Sequence, residues 1–137
     1  MAKIVLISCV SKKQDKEAKA KDIYTSALFK YSLKYAQKFK PKKMFILSAK
    51  YGLLDLDKKI KPYNKTLGNM KANERKEWAD RVISQLENLT NLNEDEFILL
   101  AGKKYIEYLL PHLSNNKNPL EGMGIGKRLG YLKRHTQ

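Results

Sequence analysis

The sequence predicts one α/β domain over residues 1–137, three layers deep, with a short, mainly parallel sheet flanked by helices. Three observations predict it. Ile4-Val5-Leu6-Ile7, Phe45-Ile46-Leu47 and Phe97-Ile98-Leu99-Leu100 are unbroken apolar runs, the pattern of strands covered on both faces. Between them, apolar residues recur at three- and four-residue steps, the period of amphipathic helices. Each run also ends abruptly in small, polar and basic residues: Ser8-Cys9-Val10-Ser11-Lys12-Lys13, Ser48-Ala49-Lys50-Tyr51-Gly52 and Ala101-Gly102-Lys103-Lys104-Tyr105.

Parallel strands would bring these three exits to one edge of the sheet, and ligands of open α/β sheets bind outside the carboxyl ends of the strands. The expected site is therefore a basic pocket drawing on Ser8, Cys9, Lys12, Ser48, Lys50, Tyr51, Gly52, Gly102, Lys103 and Tyr105. Cys9 reads more readily as a buried thiol than as a nucleophile.

Along the chain, Ser8 to Asp22 is a polar, lysine-rich loop. Thr25 or Ser26 caps a first helix with Leu28, Ser32, Tyr35, Ala36 and Phe39 on its apolar stripe and Lys30, Lys34 and Lys38 along an exposed one. Pro41 ends that helix. The segment from Asp55 to Leu67 sustains no period and is long for a compact domain, which marks it as functional. Carrying Asp55, Tyr63 and Asn64, it is expected to close the pocket. Asn69 or Asn73 opens a second helix with Trp78, Ala79, Val82, Ile83, Leu86 and Leu89 on its apolar face, Trp78 read as core. A third helix is expected over about Lys103 to Leu113, its first-turn lysines placed to favour a bound anion. The tail holds Gly122, Gly124 and Gly126 beside Glu121, Lys127 and Arg128, a pattern like a phosphate-cradling turn that opens a helix.

The net charge is +14, and it is unevenly spread: residues 1–50 hold 13 Lys or Arg against 3 Asp or Glu, residues 51–100 hold 8 against 9, and residues 101–137 hold 7 against 2. Such a balance suggests a polyanionic partner. The plainer reading is a lysine-rich surface, because arginine, the better phosphate fork, is scarce. One cysteine excludes an internal disulfide, and with two histidines it leaves little for zinc, so neither metal nor cofactor is expected. No signal peptide or membrane span is legible, and a cytoplasmic protein with no membrane partner is expected. Gly102-Lys103-Lys104 lacks the upstream glycine and following hydroxyl of a Walker A loop, which argues against ATP hydrolysis.

Several motifs in order, Ser8-Cys9-Val10 with its following lysines, Asp22 to Phe29, Leu47 to Leu54, Pro62 to Leu67, Ala101-Gly102 with Tyr105, and Pro119 to Gly126, resemble a small bacterial and phage family described as a domain of unknown function. The Ser48-Ala49-Lys50-Tyr51-Gly52-Leu53-Leu54 element also resembles a loop of YaaA-type peroxide-stress proteins and a domain found in archaeosine synthases. That resemblance implies a fold related to uracil-DNA glycosylases and a nucleobase or nucleic-acid ligand. The chain departs from those glycosylases in having no Asp or Asn at Ser8 or Cys9 and no histidine near a pocket loop, which argues against their standard excision mechanism.

The expected function is thus binding of a nucleotide or nucleic acid, with glycosylase- or ribosyl-transfer-type chemistry left open. In it Ser8, Ser48, Gly102, Gly124 and Gly126 hold phosphate or base edges, Lys12, Lys50 and Lys103 neutralise phosphate, and Tyr24, Tyr51 or Tyr105 stacks on a base. Asp22, Asp55 or Glu121 would stabilise an oxocarbenium-like transition state. The alternatives are a non-catalytic small-nucleotide module and a basic architectural DNA-binding protein.

Overall fold

The computed structural model describes residues 1–8 and 13–137. Its elements are β1 (Lys3–Ser8), β2 (Ala18–Lys19), α1 (Ala20–Ile23), α2 (Ala27–Gln37), β3 (Lys43–Ser48), β4 (Gly52–Asp55), β5 (Lys59–Ile60), a 3₁₀ turn (Leu67–Asn69), α3 (Ala72–Leu89), β6 (Glu96–Leu100), α4 (Lys103–Ile106), a second 3₁₀ turn (Leu110–His112), β7 (Asn116–Lys117) and α5 (Ile125–Arg134).

The three apolar runs lie at the centre of a five-stranded sheet ordered β4-β3-β1-β6-β7. β1 pairs in parallel with both β3 and β6, β7 is parallel to β6, and only β4 is antiparallel. Val5, Leu6, Ile7, Ile46, Leu47 and Ile98 have essentially no exposed surface, as expected for strands covered on both sides. Alternate strand residues feed two cores. Ile4, Leu6, Phe45, Leu47, Phe97 and Leu99 pack against Trp78, Val82 and Leu86 of α3 and Ile106 of α4. Val5, Ile7, Ile46, Ile98 and Leu100 pack against Phe29, Tyr35 and Ala36 of α2 and Leu132 of α5. The three layers are therefore α3/α4, the sheet, and α2/α5.

The helix ends show where local rules hold. The Ser26 hydroxyl accepts the Phe29 N–H at 3.1 Å and starts α2. The expected caps of the second helix, Asn69 and Asn73, are both displaced: α3 starts after Lys71, whose N–H donates to the Glu74 carboxylate at 3.0 Å. The expected third helix over Lys103 to Leu113 is broken. Its first turn ends at Ile106, and the chain tightens into i→i−3 bonds, Leu109 N–H to Ile106 and His112 N–H to Leu109, around Pro111, which has no N–H to extend a helix.

Candidate functional site

The parallel register brings Ser8, Ser48 and Leu100-Ala101 to one edge of the sheet. Chain routing sharpens the location. β1 leads through α2 on one face toward β3, while β6 leads through α4 on the other face toward β7. Neighbouring strands whose exits diverge leave a crevice between them, here between Ser8 and Ala101. A small cavity lined by Ser8, Phe29, Ser32, Ala101, Leu120 and Arg128 occupies that position. Cys9 and Lys12 lie outside the described residues.

Around the crevice, the tail supplies a guanidinium. α5 is N-capped at Gly124, and Arg128 in its first turn donates from Nε to the Met123 carbonyl at 2.9 Å. Its two remaining guanidinium nitrogens lie over Gly102, where a Cβ would meet them at 3.2 Å. Gly102 thus leaves room for the fork of Arg128, and among the described residues no carboxylate pairs with it.

Beside β3, three hydroxyls form a buried chain. Ser48 Oγ lies 2.8 Å from Tyr63 Oη, which lies 2.6 Å from Tyr24 Oη. Ser48 Oγ also accepts the Tyr51 N–H at 3.1 Å, and the Ser48 carbonyl accepts the Trp78 indole N–H at 2.8 Å. Two lysines lie close to the chain: Lys13 Nζ is 4.4 Å from the Tyr63 ring centroid, and Lys50 Nζ is 5.9 Å from it and 5.3 Å from the half-buried Tyr51 ring. Tyr51 meets Tyr63 edge-on at 5.6 Å, and Tyr105 meets Trp78 edge-on at 5.8 Å while touching both cores.

The loop that carries Lys50 and Tyr51 is held by α3. Arg81 donates to the Lys50 carbonyl at 2.9 Å, and the Gln85 amide spans the turn, accepting the Leu53 N–H at 2.8 Å and donating to the Tyr51 carbonyl at 3.4 Å. Gly52 closes the hairpin at φ +73, a conformation that favours glycine.

The structure therefore brings Ser8, Tyr24, Ser48, Lys50, Tyr51, Gly52, Gly102 and Tyr105 to the carboxyl edge. The three carboxylates differ. Asp22, Asp55 and Glu121 are all exposed, and among the described residues none bonds to the hydroxyl chain. Asp55 is carried away from the edge because β4 is antiparallel: it pairs with Phe45, three residues back from the Ser48–Gly52 pair, a distance of about 10 Å. The segment it opens does return to the edge, at Tyr63. Lys103 is exposed at the start of a four-residue helix, too short to give the dipole that an 11-residue helix was expected to provide. Gly124 and Gly126 are exposed with open space where a Cβ would point, and Gly124 has φ −74; the positive φ in this tail belongs to Gly122.

Sequence reasoning placed Tyr63 on the segment expected to close the pocket and Arg128 beside the glycine-rich tail, but gave neither of them, nor Lys13, a role at the ligand. Pro62-Tyr63 in an aperiodic segment and Arg128, an uncommon arginine in a lysine-rich chain, were the available signals. Among the described residues there is no group of three or more His, Cys, Asp or Glu arranged to hold a metal, and no helix is long and apolar enough to cross a membrane.

A family profile described as a family of unknown function (DUF6884) matches residues 4–134. The chain belongs to DUF6884. The match takes in every strand of the sheet and both halves of the edge, so the geometry above is that of a DUF6884 domain. No curated protein and no solved structure matches the chain.

Proposed function

We propose that the carboxyl edge binds a nucleotide unit, free or within a nucleic acid. The observation that carries this reading is the pairing of a buried hydroxyl chain, Ser48–Tyr63–Tyr24, with two lysine cations within 6 Å of the Tyr63 ring and the Arg128 fork across the crevice. Arg128 and Lys50 suit a phosphate, the former as a bidentate donor and the latter as a point charge. The hydroxyls suit base or sugar edges, and the half-buried Tyr51 ring offers a stacking face, a contact of about 1–3 kcal/mol per base. The positive N-terminal ends of α2 and α5 open toward the same edge and add to the field. The likeness of the Ser48–Leu54 loop to YaaA-type proteins and to the archaeosine synthase domain, with their uracil-DNA-glycosylase-like fold, agrees with a nucleobase ligand.

Binding is favoured over glycosidic cleavage. A cleaving site needs a carboxylate beside the developing oxocarbenium, and Asp22, Asp55 and Glu121 are exposed and outside the hydroxyl chain.

Thermal shift and equilibrium dialysis with paired nucleosides and nucleoside monophosphates test the reading. Monophosphates raise the melting temperature and nucleosides do so weakly. Lys50→Ala and Arg128→Lys weaken monophosphate binding about tenfold, the effect of losing one charge-assisted contact of roughly 1.5 kcal/mol. Tyr63→Phe reduces selectivity among bases. Unchanged binding in Lys50→Ala and Tyr51→Ala would show that the edge is not the site.

A further inference from the structure

The two helix layers carry very different charge. Tyr24 to Leu54 and Gly122 to Gln137, which include all of α2 and α5, contain no Asp or Glu. On the opposite face α3 alternates Glu74, Glu77, Asp80 and Glu87 with Arg75, Lys76 and Arg81. The acids nearest these stretches in sequence, Asp22 of α1 and Glu121, are exposed but stop short of both helices.

The acid-free helix pair is also a fixed surface. The Tyr35 and Tyr131 hydroxyls lie 3.1 Å apart, the Tyr131 ring packs tilted at 39° against His135 with centroids 4.1 Å apart, and Lys133 Nζ sits 5.7 Å from the Tyr31 ring. Lys38 Nζ donates to the His135 carbonyl, which joins the two helices at their far ends. Lys30, Lys34 and Lys38 follow one another at four-residue steps, about 6 Å apart along α2. Lys127 and Arg134 lie on the stripe of α5 that carries Tyr131, the residue that meets α2. Lys38 and Lys133 thus sit at the seam beside its tyrosines, Lys30, Lys34, Lys127 and Arg134 are exposed on the same two helices, and both helices begin at the carboxyl edge.

We propose that the α2/α5 face docks the phosphodiester backbone of a polynucleotide and leads it to the carboxyl edge. This rests on the nucleotide reading of that edge for the choice of nucleic acid among polyanions. The cation spacing suits it: duplex phosphates recur at about 3.4 Å per strand along the axis, so successive lysines along α2 meet about every second one. An anionic membrane fits less well. Surface-bound helices insert an apolar face, but the apolar stripes of α2 and α5 are buried in the core, and among the described residues of this layer Ile125 is the only large apolar side chain left exposed.

The test is fluorescence anisotropy of labelled 20-nucleotide single-stranded and duplex DNA from 50 to 200 mM KCl, with K34E/K127E set against K71E/K76E on the α3 layer. All four lysines are exposed, and the two double variants change the net charge equally. In K34E/K127E, affinity falls at least tenfold and the slope of log K against log salt drops by about two, at about 0.9 per phosphate contact. K71E/K76E loses less than about threefold. Monophosphate thermal shifts persist in K71E/K76E. Equal losses in the two double variants overturn the proposal, since net charge alone would then explain binding. Binding to vesicles containing phosphatidylserine that K34E/K127E abolishes, with no binding to either DNA, overturns it in favour of a membrane. Loss of DNA binding in K34E/K127E while Lys50→Ala and Arg128→Lys bind DNA normally upholds the docking face and sinks the carboxyl-edge reading alone.

Discussion

Trp78 Nε1 donates to the backbone carbonyl of Ser48 at 2.8 Å, so the largest side chain of α3 holds the last residue of β3 while its ring fills the core. The same Ser48 offers its side chain to Tyr63 on the other side. A core residue and a site residue are thereby one hydrogen bond apart.

Trp78→Phe keeps most of the apolar contact and leaves a buried carbonyl without its donor. An unfolding free energy lower by about 1–3 kcal/mol is expected from that unmade bond, read from urea midpoints at constant m-value. The loss should be accompanied by weaker ligand binding, because the Ser48 end of the hydroxyl chain loosens.

Gly102→Ala separates a packing role from a binding role. Its backbone, at φ −77 and ψ 166, accepts alanine, and the nearest atoms to the new Cβ belong to the far end of Arg128, at 3.2 Å. Stability should therefore change by less than about 0.5 kcal/mol, as for surface substitutions, while phosphate-bearing ligands bind more weakly because the guanidinium must move. Parallel melting and binding curves check both halves.

Gly52→Ala is expected to act the other way. At φ +73 an alanine is strained, and its Cβ would lie 2.5 Å from Gln85 Oε1, the atom that accepts the Leu53 N–H. A destabilisation of about 1–3 kcal/mol follows from the backbone conformation alone, and Gln85 must also release the loop that presents Lys50 and Tyr51. Gly52→Ala/Gln85→Ala should recover part of the loss if the clash contributes.

The seam between α2 and α5 gives an alkaline signature. Burial first, then the hydrogen bond and charge interaction with Tyr131, push the Tyr35 phenol up from 10.0 to about 12. The folded state holds this proton more tightly than the unfolded chain, so its contribution is fully present below about pH 10 and is lost as pH rises from there through about 12. Tyr35→Phe should flatten that limb of the melting-temperature profile, with the phenolate absorbance followed in parallel.

The parts of the molecule legible in the sequence are those fixed by short-range chemistry. Unbroken apolar runs can be buried only between two layers, and Ser26 before an amphipathic stripe is a local capping signal. What was not legible depends on which way the chain turns. Nothing local to Gly52 says that β4 runs back along β3 and carries Asp55 away from the edge. Likewise, nothing near Tyr63 says that its hydroxyl will meet Ser48 and Tyr24, residues that are distant in sequence. The third helix failed for a nearer reason: its apolar stripe continues through Pro111, but the hydrogen bonds do not. Arg128 was visible as a residue, and its placement over Gly102 required the packing of α5 on the rest of the domain.

The sheet ends in a four-residue strand closing on the charged Asp55 at one side and in a two-residue strand carrying Lys117 at the other. A visiting strand finds few backbone groups to pair with at either margin, and a charge at each. The core-like strands β1, β3 and β6, which would be adhesive if exposed, are enclosed by these short borders. The folded chain should therefore resist strand-by-strand polymerisation even at concentrations where its apolar segments, released by unfolding, would aggregate.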